Sequence, residues 1–272
     1  MAAMLASAGK ELGSGKVFGI NEALDQTGAT LGPILVAIVL ARSSGNFQGA
    51  FAALLVPALL TLAILAVAAT QFRSRATIAA SATGNRSSLR EGRYWIFVAG
   101  GALMALGFAD WALIAFHFQH AHVIATALIP VVYVPAMLVG AILSPFAGAL
   151  LDRFGVAVLV VAVVISSAFA PLVFLGGPEL AVAGVILWGV GMGAQESLFL
   201  ATLSEITHDQ KKATTFGVYD TVFGFAWLLG SALLGFLYDR SLIALVAFAT
   251  LAQLASIPFF VASVRRAKGP SA

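Results

Sequence analysis

The chain has 272 residues, of which 60% are hydrophobic and 10% charged, with a mean hydropathy of +0.99. Soluble domains carry about 25% charged residues, so this composition excludes a water-facing globular surface and makes lipid the solvent. The net charge of +3 offers no basic patch for nucleic acid, and the absence of cysteine excludes disulfides and thiol chemistry.

In chain order, apolar runs predict eight membrane-spanning helices, at 17–42, 47–71, 94–116, 124–150, 156–176, 180–206, 213–238 and 242–264. Each is long enough for a hydrocarbon core that needs about 20 apolar residues. The expected fold class is therefore an all-α polytopic membrane protein. Turn chemistry marks the breaks: Ser43-Ser44-Gly45-Asn46, Gly176-Gly177-Pro178 and Asp209-Gln210-Lys211-Lys212. The longest connection, 72–93, is rich in Ser, Ala and Arg and reads as a flexible linker between two lobes.

With the N-terminus placed in the cytoplasm, thirteen Lys and Arg fall on that side and only Arg42 and Arg240 on the other. That bias follows the positive-inside rule and predicts that both termini are cytoplasmic. Two stretches repeat without a gap at an offset of 198 residues, Phe18 to Arg42 and Phe216 to Arg240. Phe18/Phe216, Gly19/Gly217, Gly32/Gly230 and Arg42/Arg240 coincide. Such an echo between apolar helices predicts an internal structural repeat.

Two motifs extend this reading. Gly19, Gly28, Gly32 and Pro33 follow the spacing G, eight residues, G, three residues, G-P, with Val36 and Ala37 where two further glycines would stand. Gly148, Leu150, Asp152, Arg153 and Gly155 follow G-x-L-x-D-R-x-G. On these residues the chain resembles the major facilitator superfamily. The resemblance implies a chain corresponding to helices five to twelve of a twelve-helix fold, truncated at its N-terminus. A shortened gene model or a natural fragment is the expected reason. The implied organisation is a remnant of the first lobe at 1–71, a central cytoplasmic linker at 72–93, a complete six-helix second lobe at 94–264 and a cytoplasmic tail at 265–272.

Ionisable groups inside a bilayer are costly and usually functional. The candidates are Glu22 and Asp25 on the first span, Asp110 on the third, Glu196 on the sixth and Asp220 on the seventh. All are acids, and desolvation of an acid lets it pick up and release protons. Gln195, Trp111, Trp188 and Tyr133 complete a candidate coupling or solute cavity, with Phe116 and Tyr219 as further aromatic walls. Trp188 and Met192 are placed on the helical face of Glu196. The gating candidates are Gly19, Gly28, Gly32, Pro33, Gly148, Asp152, Arg153 and Gly155. Carried over by the repeat, the resemblance implies that the Asp152 carboxylate reaches the start of the first helix, around Lys16 to Gly19.

His117, His120 and His122 cluster without a nearby carboxylate or cysteine, so they read as interfacial histidines and no metal site is expected. No cofactor motif and no enzyme motif is found. The resulting expectation is a small-solute secondary transporter in a bacterial inner membrane. The resemblance implies alternating access, and the buried acids suggest proton coupling. The alternative is a non-transporting fragment or membrane scaffold without a complete pathway.

Overall fold

The computed structural model describes residues 5, 12–42, 47–80, 91–125, 128–207 and 212–265. Its elements are α1 (Ser14–Arg42), α2 (Phe47–Ala53), α3 (Leu55–Ala80), α4 (Gly92–Gly107), α5 (Trp111–His120) and α6 (Ile129–Phe154). There follow α7 (Val156–Ser167), α8 (Phe169–Leu175), α9 (Pro178–Gly193), a π-helical segment (Ala194–Phe199), α10 (Leu200–Ile206), α11 (Lys212–Arg240) and α12 (Leu242–Arg265). No strand occurs among the described residues. Backbone groups inside a bilayer must be satisfied within the chain, and helices do that span by span.

Six described stretches are long and apolar enough to cross a membrane: Gly92–His120, Ile129–Phe154, Val156–Leu175, Pro178–Ile206, Ala213–Arg240 and Leu242–Val264. Phe51–Val67 is a shorter apolar helical stretch. The fold is thus an all-α membrane-spanning bundle. The chain divides into two compact units, Met1–Gln26 with Arg86–Ala272, and Thr27–Asn85, so the boundary falls inside α1.

In the larger unit α4 packs along α12 and α11, and α9 packs along α6 and α8. Rings join these helices: Phe97 to Phe260 at 5.2 Å, Phe199 to Phe260 at 4.8 Å and Phe97 to Tyr219 at 5.8 Å. In the smaller unit α3 exposes Leu59, Leu60, Ile64 and Leu65. That is the surface a lipid-facing helix presents.

Several boundaries differ from the sequence reading for local reasons. The fourth span starts at Ile129 rather than 124, because Pro130 takes the first turn of α6, where its missing N–H costs nothing. It also runs on to Phe154, so Asp152 and Arg153 sit in its last turn. α3 continues to Ala80, into the stretch read as linker. The rest of that linker up to residue 90, the Ser43–Asn46 turn, residues 209–211 of the next turn and the tail from 266 lie outside the described residues.

The third span is not one helix but two. Phe108 and Asp110 are extended, with ψ of 108° and 164°, between α4 and α5. Two freed backbone carbonyls are taken up by other helices. Gln253 Nε2 on α12 donates to the Gly107 carbonyl at 3.2 Å, and Trp188 Nε1 on α9 donates to the Ala109 carbonyl at 2.8 Å. Asp110 caps α5 by accepting the Leu113 N–H at 3.0 Å, while its other oxygen accepts the Ser231 hydroxyl of α11 at 2.9 Å. Gln253 is fully buried and accepts from Ser166 of α7 at 3.0 Å.

Candidate functional site

Two features of the larger unit bear on function. The first joins the start of α1 to the end of α6. Gly15 and Gly19 lie one turn apart on α1, and Ser144 and Gly148 one turn apart on α6. An added Cβ at Gly15 would overlap the Gly148 carbonyl, and one at Gly19 would overlap the Ser144 carbonyl. Small residues at this spacing let two helix backbones touch.

The crossing sets Asp152 against the first turn of α1. Its two oxygens accept the Gly15 N–H at 2.7 Å and the Lys16 N–H at 3.0 Å. These N–H groups have no helical partner and carry the positive end of the helix dipole. Gly13 precedes them with φ of +94°, and the Asp152 carboxyl occupies the place of its missing Cβ. Gly155 ends α6 with φ of +63°, a conformation that favours glycine. The Arg153 guanidinium lies over the Phe154 ring at 5.1 Å. Asp152→Asn should weaken the contact by about 0.3–1 kcal/mol. Maleimide labelling of a cysteine at Val17, in the otherwise cysteine-free chain, should then speed up about two- to fivefold. An unchanged rate would show that the carboxylate does not hold this end.

The second feature is a gathering of acids. Glu22 is 2% exposed and accepts from Gln26 Nε2 at 2.5 Å. Asp25, one turn on, accepts from Asn21 Nδ2 at 2.9 Å and is exposed. The Glu196 carboxylate, in the π segment, is exposed and acts electrostatically on Glu22, Asp25 and Asp220. Glu22 and Asp220 are themselves repeat positions, 198 residues apart. They follow Phe18 and Phe216 by one turn, and those two rings meet at 6.1 Å. The structure therefore brings four of the five candidate acids into one field. Asp110 stands apart as the cap of α5.

The aromatic candidates also come together. Trp111 lies 5.0 Å from Tyr133 and 5.8 Å from Trp188, and Tyr133 lies 6.2 Å from Trp188. Phe108 and Trp227 extend this cluster, at 6.1 Å from Trp188 to Phe108 and 5.7 Å from Phe108 to Trp227. Neither was singled out from the sequence. Trp188 does not share a face with Glu196: Trp188 is buried with its indole bonded to α5's approach, whereas Glu196 is exposed. The wider turn that begins at Ala194 re-aims the side chains that follow it. Gln195 is buried and donates to the Gly191 carbonyl at 3.2 Å. Gly28 and Gly32 have nothing within 4 Å of an added Cβ, and Pro33 lies beside them within α1. No group of three His, Cys, Asp or Glu side chains with metal-site geometry is present among the described residues.

An all-helical bundle of membrane-spanning stretches with small-residue crossings defines a polytopic integral membrane protein. The sequence matches the Major Facilitator Superfamily over residues 1–231, and the chain belongs to that family. It is also 30% identical over 249 residues to uncharacterized proteins of Mycobacterium tuberculosis (Rv2265) and Mycobacterium bovis (Mb2288). The match takes in 89% of this chain and 61% of theirs, so the chain spans about three fifths of the length of these relatives.

Proposed function

We propose that this chain forms part of a secondary transporter that moves a small solute by alternating access, coupled to protons. The observation that carries the reading is the convergence of Glu22, Asp25, Glu196 and Asp220 from α1, the π segment and α11. Carboxylates gathered on the helices of a repeat pair are groups on which a proton can be taken up and released during a cycle. α1 and α11 are the repeat pair, and helices at the meeting of two repeats are where such folds place their sites. Acids and an aromatic cluster within one unit favour an amphipathic or cationic solute. The Asp152 contact acts as a latch on one end, which the charge bias assigns to the cytoplasm of a bacterial inner-membrane protein. It is weak enough to break during a cycle.

The test is solute-screened transport in proteoliposomes under a pH gradient, with an internal pH dye. Solute-dependent proton movement is expected, and Glu196→Gln should abolish it while leaving the elution profile and helical content unchanged. Retained coupling in Glu196→Gln would remove Glu196 from the mechanism. A second reading is a membrane scaffold that moves no solute. Absence of proton movement with every solute would support it.

A further inference from the structure

Inward of the Asp152 contact, three helices of the larger unit enclose a polar niche. α1 and α6 pass each other in opposite directions. Gly15 meets Gly148, Gly19 meets Ser144 and Pro145, and the Gln26 side chain lies against Gly140. Glu22 stands between Gly19 and Gln26 on the same face of α1 and is 2% exposed. The end of α9 closes the third side. A Cβ added at Gly193 would sit 2.6 Å from Ser144 Oγ and 3.4 Å from the Gly140 Cα.

Three oxygens are available in this niche. The first is the Glu22 carboxylate, which accepts from Gln26 Nε2 on one oxygen. The second is the Ser144 hydroxyl, buried and without a hydrogen-bond partner among the described residues. The third belongs to the main chain. Pro145 stands inside α6 and has no N–H, so the Ala141 carbonyl loses its helical donor. A helical carbonyl points along the axis at the residue four further on. Pro145 lies against α1, with its Cα 2.9 Å from a Cβ added at Gly19, so that carbonyl emerges on the α1 side.

No base balances the buried carboxylate. α1 has no Lys or Arg between Lys16 and Arg42, α6 has none before Arg153, and Pro178–Ile206 has none. Glu196 and Asp25 add only negative charge at Glu22. A buried charge needs a counter-charge or a proton. A proton on Glu22 would neutralise it and leave the Ser144 hydroxyl and the Ala141 carbonyl as they are. A hard cation answers all three, since such ions take carboxylate, hydroxyl and freed carbonyl oxygens. It needs no set of three acidic or imidazole side chains. Gly140 and Gly193 close in around Ser144, so the ion must be small.

We propose that Glu22, Ser144 and the Ala141 carbonyl bind a sodium ion, which ties α1 to α6 about two turns inward of the Asp152 contact. The site shares Glu22 with the transport reading and is read without any solute or pH gradient, so the two fail separately.

The test uses the full chain purified in detergent without sodium. The thermal midpoint is followed by circular dichroism as Na+ replaces N-methylglucamine at constant ionic strength, up to about 100 mM, with K+ in parallel. Binding of radioactive sodium is measured on the same protein. A ligand that binds only the folded form raises the midpoint, and a saturable rise of about 3 °C or more is expected with Na+, less than half of it with K+. Ser144→Ala keeps the Cβ at the crossing and removes only the hydroxyl; it should weaken sodium binding by about fivefold or more. Glu22→Gln should abolish it. Should Glu22→Gln fail to fold, Ser144→Ala decides alone. Equal midpoints in Na+ and K+, no bound sodium, or an unchanged sodium affinity in Ser144→Ala would overturn the site.

Discussion

Gly148→Leu is expected to lower the thermal midpoint of the purified chain by about 3–10 °C, read by circular dichroism in detergent. It should also expose the segment before Gln26 to protease. The physical reason is that the neighbour in the way is the Gly15 carbonyl, part of a helix backbone rather than the end of a flexible side chain. Overfilling a packed contact costs about 1–3 kcal/mol even where side chains can shift, and here they cannot. The helices must part, and Asp152 loses the Gly15 and Lys16 N–H groups with them. Gly32→Ala is the control. Nothing lies within 4 Å of its added Cβ, and alanine is the better helix former. Equal melting shifts for the two variants would show that the crossing does not hold the start of α1.

The second large effect is expected at Gln253. Gln253→Leu keeps the approximate volume and removes the donor to Gly107 and the acceptor for Ser166. An orphaned buried polar group costs about 1–3 kcal/mol, and the Gly107 carbonyl has no helical successor to bond, since α4 stops there. Hydrogen exchange from Phe108 to Leu113 should accelerate by at least tenfold. Gln253→Glu separates the two halves of the effect, because it keeps acceptors for Ser166 and gives up the donors. Exchange that stays at the parent rate in both variants would mean that Trp188 and Asp110 alone secure the break.

Much of this was legible in the amino acids. Long apolar runs located six of the eight expected spans, those from Gly92 onward, because nothing but lipid accommodates them; of the two before them, Phe51–Val67 is a shorter apolar helix. The 198-residue echo located α1 and α11, whose aligned phenylalanines turn out to touch. Asp152 meets α1 at Gly15 and Lys16, at the start of the helix where the family resemblance, carried over by the repeat, implied it. The break at Phe108–Asp110 was not legible, because it contains neither glycine nor proline. What stabilises it comes from Gln253, Trp188 and Ser231, more than 75 positions away in the chain. Asp110 was read as a cavity acid on the same ground: inside an uninterrupted helix it would have no cap to make. His117 looked like an ordinary interfacial histidine until α8 and α11 were placed around it. A local pattern states what a residue can bond, and only the packing states what arrives.

The π segment has one more consequence. An α-helix advances about 100° per residue, so the extra residue accommodated in one wide turn works as a phase slip. Everything from Leu200 to Ile206 is rotated by about that angle from where the pattern of α9 would have put it. Deleting one residue between Ala194 and Phe199 would therefore do more than shorten the helix. It would dial Glu205, whose carboxylate lies within the field of Asp152, away from that end of the bundle. The wide turn thus acts as a timing mark, fixing within one helix the rotational setting of Glu205 relative to Glu196.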